Sequence, residues 1–326
     1  VIDQARELGC HHVHFTGGEP LLRDDITDLS KYVIDRGLSL RLQTNGELFG
    51  ESVARSLRSV GVGDVMFSLD SCDPSVVTDL RGLNSSHSVA RAVDVALSLG
   101  FHVRVNAVIT SLNATSLIET ARQVIGWGVG TFSAFYFSPI GRGRNRLDLW
   151  VEPEAYIAHW RIWSDQLRDM RESTVAADII VEKGYATWDE AGNIVTDHFT
   201  GCGGGCQHVY RDRDYLIVRS DGAVYPCILL VDAEPLGNVL TSSLEAIWAR
   251  SPGWEIMARR REGACASCDH WTVCGGGCAG YARVLDGDSR KADVRCRYGK
   301  LVPLCPIMKY NFRRSKLGGS SEDVTS

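Results

Sequence analysis

The segment His12-Val13-His14-Phe15-Thr16-Gly17-Gly18-Glu19-Pro20 sets the frame in which the remaining residues are read. Residues His12–Thr16 have the β-branched and aromatic content of a short strand. Two glycines at a strand's C-terminal end let a ligand approach the backbone, and a fixed carboxylate such as Glu19 accepts hydrogen bonds from an ammonium group. In isolation the same string is what any turn after a strand needs. The flanking sequence decides between the two.

Working outward, β-rich runs alternate with helical patterns from Val1 to about Gly141, which predicts repeated βα units and a parallel sheet. Strands are expected at His12–Thr16, Ser39–Gln43, Asp64–Leu69, His102–Ile109 and Thr131–Ser138. Helices are expected at Asp25–Arg36, Glu51–Val60, Ser88–Leu99 and Ser116–Trp127, each with apolar residues at helical spacing and followed by Gly37, Gly61, Gly100 or Gly128 as a stop signal. An α/β barrel or a doubly wound sheet satisfies this rhythm. Past Gly143 it breaks. Glu152–Arg171 reads as one helix with Tyr156, Trp160, Trp163 and Leu167 on a packing face, and the polar segment Ser173–Phe199 as a bridge. The tail ends in GGSSEDVTS and is expected to be disordered. The predicted units are a barrel over 1–150, a helical bridge over 151–200, a cysteine-rich domain over 201–312 and a tail over 313–326.

Bulk properties narrow the function classes. The 326 residues suffice for one large domain and one smaller one, and the formal charge of −5 comes without any block of like charge that would suit nucleic acid. No apolar run is long enough to span a bilayer, and the first residues have neither the basic nor the apolar part of a signal peptide. A soluble cytoplasmic protein with no nucleic-acid or membrane partner is expected. The chain starts at Val1, without Met, in what already reads as a helix, so further residues upstream are expected.

Eight of the 11 cysteines lie between Cys202 and Cys296. Cys265-x2-Cys268-x5-Cys274-x3-Cys278 is followed after seventeen residues by Cys296, and Cys202-x3-Cys206 and Cys227 stand upstream. Four thiolates per centre suit both a cubane iron–sulfur cluster and structural zinc, so eight serve two centres. Both C-x3-C segments, at 202–206 and 274–278, read Cys-Gly-Gly-Gly-Cys. Triple glycine is costly unless the backbone bends tightly or approaches something closely, and a bulky inorganic cluster supplies that reason. Zinc remains the alternative on spacing alone, and disulfides fit poorly with a reducing compartment. Cys10, His11, His12 and His14 are read as an ordinary helix end and strand, and Cys72 as an apolar filler.

The pattern Cys206-x15-Gly222-x4-Cys227 followed by the downstream set resembles the SPASM domain found at the C-terminus of many radical S-adenosylmethionine enzymes. Beside it, Gly17-Gly18-Glu19-Pro20 resembles the family's cofactor motif, which binds the amino group of the methionine moiety. The resemblance implies a partial (βα)6 barrel followed by a small α+β SPASM domain. It also implies one auxiliary [4Fe–4S] cluster on Cys202, Cys206, Cys227 and Cys278, and another on Cys265, Cys268, Cys274 and Cys296. Cys202 is the ligand position at which the family varies, and Cys305 is an understudy for Cys296. Ser68 and Asp70 are implied near the cofactor ribose and Arg81 near its carboxylate or ribose. Asn106 and the backbone around Pro139-Ile140-Gly141 complete the nucleoside pocket.

The family holds its radical-generating [4Fe–4S] cluster with C-x3-C-x2-C, and residues 1–326 contain no such triplet. The resemblance places that loop upstream of Val1, and the chain by itself is expected to form no 5′-deoxyadenosine. The implied activity is hydrogen abstraction by a 5′-deoxyadenosyl radical, with a reductant such as flavodoxin or ferredoxin as electron source. A ribosomally made peptide or protein is the implied substrate. Haem or quinone cofactor synthesis is an alternative. Sulfatase maturation fits less well, because Ile228 rather than aspartate follows Cys227. A non-catalytic peptide-binding or electron-relay protein is the alternative from another class.

Overall fold

The computed structural model describes residues 1–81, 85–152, positions 155, 156, 158, 159, 162, 163 and 166, and then 178–183, 187–188, 194–195, 216–250, 265–267, 276–291 and 308–309. Six parallel strands form its main sheet: β1 (His12–Phe15), β2 (Ser39–Thr44), β3 (Asp64–Ser68), β4 (His102–Ile109), β5 (Thr131–Tyr136) and β6 (Asp178–Lys183). Their spatial order is their sequence order. A doubly wound sheet reverses direction at a switch point, whereas this one advances strand by strand as a barrel does. A last strand, β12 (Met308–Lys309), lies antiparallel on the outer edge of β6.

The strands form because their side chains alternate between two different environments. In β4, Val103, Val105, Ala107 and Ile109 are buried beneath the helices, while His102, Arg104, Asn106 and Val108 line the opposite, inner face. The outer face is covered by α1 (Ile2–Glu7), α2 (Ile26–Ile34), α3 (Glu51–Ser59), α4 (Pro74–Arg81), α5 (Ser85–Ser98) and α6 (Leu117–Gly126). Helices α2, α3, α5 and α6 bury one stripe, as α6 does with Leu117, Ile118, Ala121, Val124 and Ile125, whereas α1 buries no residue fully. The four glycines expected to stop helices, Gly37, Gly61, Gly100 and Gly128, all take the left-handed conformation.

Two elements go beyond the sequence expectation. Helix α4 has Val77 as its only buried residue, so it leaves almost no apolar period to read; Asp73 starts it by accepting a hydrogen bond from the Ser75 amide at 2.8 Å. Strand β6 lies within the segment read as a polar bridge, so the barrel sheet continues past residue 150. Of the helix expected over Glu152–Arg171, Tyr156 and Trp163 are buried, and the Trp163 indole donates to the Ala114 carbonyl at 3.0 Å. Trp160, Leu167 and the C-terminal tail lie outside the described residues.

Beyond the main sheet are a hairpin, β7 (Thr187–Trp188) with β8 (Ile194–Val195), and a three-stranded antiparallel sheet of β9 (Ile217–Val218), β10 (Ala223–Tyr225) and β11 (Gly237–Asn238). Among the described residues two helices follow, α7 (Leu244–Arg250) and α8 (Ala279–Asp286). The start of α7 is tied to α1, because the Leu244 amide donates to the Gln4 side chain at 2.8 Å. Among the described residues no helix is long and apolar enough to cross a membrane.

Candidate functional site

At the C-terminal end of β1 the chain turns through Gly17, whose φ of 117° is open to glycine and strained for other residues. Glu19 then caps the 3-10 turn Pro20–Leu22, with Pro20 fixing its first position. The Glu19 carboxylate is held from three directions. Oε1 accepts from the Leu21 amide at 3.1 Å and from the Thr44 hydroxyl at 2.7 Å, and Oε2 accepts from the Asn45 amide at 2.8 Å. The end of β2 therefore orients a half-buried carboxylate on the rim of the sheet.

A polar row crosses the inner face just below this rim. Thr16 donates to Gln43 at 3.3 Å, and Gln43 donates to the Ser68 hydroxyl at 3.1 Å. Ser68 pairs in register with Asn106, which accepts from the Ser133 hydroxyl at 3.2 Å. Thr16, Gln43 and Ser133 were not singled out as site residues by sequence. Their signal was the period of two, which places each on the same face as Ser68 or Asn106.

Asp70 and Arg81 come together as a bidentate pair, with Nε to Oδ2 at 2.6 Å and Nη2 to Oδ1 at 3.0 Å. Asp70 is buried, and its Oδ1 also accepts from the Val108 amide at 2.8 Å. Its carboxylate thus fixes Arg81 and the end of β4, and the guanidinium is the more exposed partner of the pair.

Nearer the N-terminal ends of the strands the inner face holds a second network. Asp64 accepts from Arg41 at 2.9 Å and from Arg104 at 3.1 Å. Burial alone would raise the Asp64 carboxyl, but hydrogen bonds from His102 and Arg41 and the charges of Arg41 and Arg104 outweigh it and hold the group well below the usual range. Burial and the charge of Arg41 push His14 down to about 4, and burial lowers His12 as well. Next to two guanidiniums these imidazoles are neutral near pH 7. Cys72 fits its reading as a filler, since burial and Glu119 push its thiol up to about 11.

In the cysteine-rich region, Cys227, Cys265 and Cys278 are each buried, at 6 %, 8 % and 5 % exposure. Cys227 caps the 3-10 turn Ile228–Leu230, and Cys278 caps α8 after Gly276 and Gly277, both left-handed. The two capped segments pack directly on one another. A Cβ on Gly280 would lie 2.3 Å from the Leu229 Cβ, so only glycine permits the approach. Cys202, Cys206, Cys268, Cys274, Cys296 and Cys305 lie outside the described residues.

Residues 1–124 match the family model described as the radical SAM superfamily, and residues 206–269 match SPASM, described as an iron–sulfur cluster-binding domain. The chain carries a radical SAM domain followed by a SPASM domain. Its barrel and SPASM domain imply S-adenosylmethionine and iron–sulfur clusters as cofactors. Among curated relatives, this radical SAM–SPASM protein is 27 % identical over 284 residues to the mycofactocin maturase MftC of Mycobacterium tuberculosis, covering 85 % of this chain and 68 % of that protein. It is 25 % identical over 312 residues to an AdoMet-dependent heme synthase of Methanosarcina barkeri, covering 91 % and 85 %. With the PqqA peptide cyclase of Xanthomonas campestris it shares 28 % identity over 305 residues, covering 91 % and 76 %. The fold is that of Streptococcus suis SuiB solved with S-adenosylmethionine, at a TM-score of 0.71, 20 % identity, and coverage of 91 % of this chain and 68 % of that one.

Proposed function

We propose that this protein is a radical S-adenosylmethionine maturase that modifies a ribosomally made peptide or protein by hydrogen abstraction. The observation that carries the reading is the Glu19 carboxylate, oriented on the barrel rim by Leu21, Thr44 and Asn45. A carboxylate fixed there is suited to the ammonium group of the cofactor. Gly18 fits the same role: its φ lies outside the left-handed range and a Cβ would meet nothing within 4 Å, so close approach by a ligand is the remaining reason for glycine. Reductive cleavage of bound S-adenosylmethionine supplies a hydrogen-abstracting carbon radical. In this reading Gly17, Gly18, Glu19 and Pro20 hold the methionine end, Arg81 meets the carboxylate or ribose under the control of Asp70, and Ser68 and Asn106 border the nucleoside.

The buried thiols support two auxiliary [4Fe–4S] clusters. Cys227 and Cys278 head two segments packed on each other, as shared ligation with Cys202 and Cys206 requires. Cys265 belongs with Cys268, Cys274 and Cys296. Left-handed Gly276 and Gly277 turn the backbone immediately before Cys278, a bend that suits close approach to a cluster. A peptide substrate is supported by the PqqA peptide cyclase among the relatives and by SuiB, which has also been solved with its precursor peptide SuiA.

The test is turnover by the protein expressed anaerobically from its complete gene, given S-adenosylmethionine, a low-potential reductant such as flavodoxin, and the short peptide encoded beside the gene. The expected result is 5′-deoxyadenosine together with a peptide that has lost hydrogen. Formation of 5′-deoxyadenosine with haem precursors, and none with peptide, overturns the peptide assignment and favours the heme-synthase branch. Cofactor turnover with neither substrate class overturns both.

A further inference from the structure

The loop that leaves β5 is gripped at two points by the cysteine-bearing segments. At its start, the buried Tyr281 hydroxyl lies 2.7 Å from the Ser138 hydroxyl and 3.2 Å from the carbonyls of Tyr136 and Phe137. Tyr281 is three residues after Cys278 in α8. Further along, the Asp232 carboxylate accepts from the Gly141 amide at 3.2 Å and pairs with Arg144 at 3.0 Å. Asp232 is five residues after Cys227. The two gripping segments touch where Gly280 meets Leu229. Between the grips the loop is tightly folded, for a Cβ on Gly143 would lie 3.1 Å from the Ser138 carbonyl.

We propose that Tyr281 and Asp232 are positioning residues through which loading of the cluster on Cys227 and Cys278 orders the Ser138–Arg144 loop at the barrel mouth. The inference rests on the cluster assignment proposed above. A metal centre that ties Cys227 to Cys278 fixes the relative placement of α8, which carries Tyr281, and the Ile228–Leu230 turn, which Asp232 follows by two residues. Fixing both segments fixes both ends of the loop, including the backbone around Pro139-Ile140-Gly141 expected to border the nucleoside. Two sites thereby become energetically linked through the two segments and the hydrogen bonds that each makes to the loop.

The experiment compares hydrogen exchange of peptides spanning 138–146 in anaerobically loaded and chelator-stripped protein, for the wild type, Tyr281→Phe and Asp232→Ala. Iron and sulfide are measured first in each. In the wild type, loading is expected to slow exchange in this loop by about five-fold or more, and in either variant the loading-dependent difference is expected to fall below about two-fold while iron content is kept. Using two variants on different segments guards against the case in which one fails to take up iron. Equal loading-dependent protection in the iron-loaded variants and the wild type overturns the proposal, as does absence of protection in the loaded wild type. Absence of iron and sulfide from the wild type overturns the cluster assignment, and this inference with it, before exchange is read.

Discussion

Glu19 and Gly18 are neighbours whose replacements are expected to differ in stability while both weaken cofactor binding. Glu19 satisfies three donors, so Glu19→Gln turns an amide N–H₂ toward at least one of them. The expected cost is about 1–2 kcal/mol in urea denaturation, together with loss of cofactor binding. Gly18→Ala adds a methyl to open space at an ordinary φ, so stability is expected to stay within about 0.5 kcal/mol of the wild type. Its affinity for S-adenosylmethionine, read by equilibrium dialysis on the loaded protein from the complete gene, is expected to fall about ten-fold or more. Equal losses of stability in the two variants would contradict the roles assigned to them. Glycine-glycine-glutamate after a strand was legible as a turn that fixes a carboxylate at the end of the sheet. The pairing of Asp70 with Arg81 was not, because ten residues lie between them, Arg81 ends α4, and only the fold brings them together.

Among the elements, the strands were read to within a residue or two because their inner and outer faces differ in polarity, as β4 shows. Strand β6 was hidden by the polar residues that surround it, and α4 by its single buried side chain. The charged end of the inner face makes a prediction of its own. His14 ionises at about 4 in the folded protein and near 6.5 in an unfolded chain. Below pH 6.5 the unfolded state takes up that proton first, so the stability tied to the neutral ring is present above 6.5 and is lost as pH falls toward about 4. His14→Gln is expected to flatten this stretch of the stability–pH curve, and an unchanged slope would place the effect elsewhere. On the other side of the molecule, Gly280→Ala drives a methyl into Leu229. A loss of about 1–3 kcal/mol is expected from such overpacking. Lower iron content after reconstitution should accompany it, because the clash separates the segments bearing Cys227 and Cys278.

For the molecule as a whole, the sequential order of six parallel strands decides for a barrel where the sequence rhythm also allowed a doubly wound sheet. Periodicity reports which residues share a face, but strand order depends on the direction of each crossover, which no local pattern encodes. The cysteine spacing pointed to an iron–sulfur domain, as the SPASM match over residues 206–269 bears out, while the division of the eight thiols into two sets of four is the proposal made above. The central claim is that this barrel is joined to a domain whose cysteines hold iron–sulfur clusters. It is tested most directly by metal and acid-labile sulfide analysis of the chain reconstituted anaerobically. The predicted result is about eight iron and about eight sulfide per chain, with the charge-transfer absorption of [4Fe–4S] clusters. Stoichiometric zinc without sulfide would contradict it.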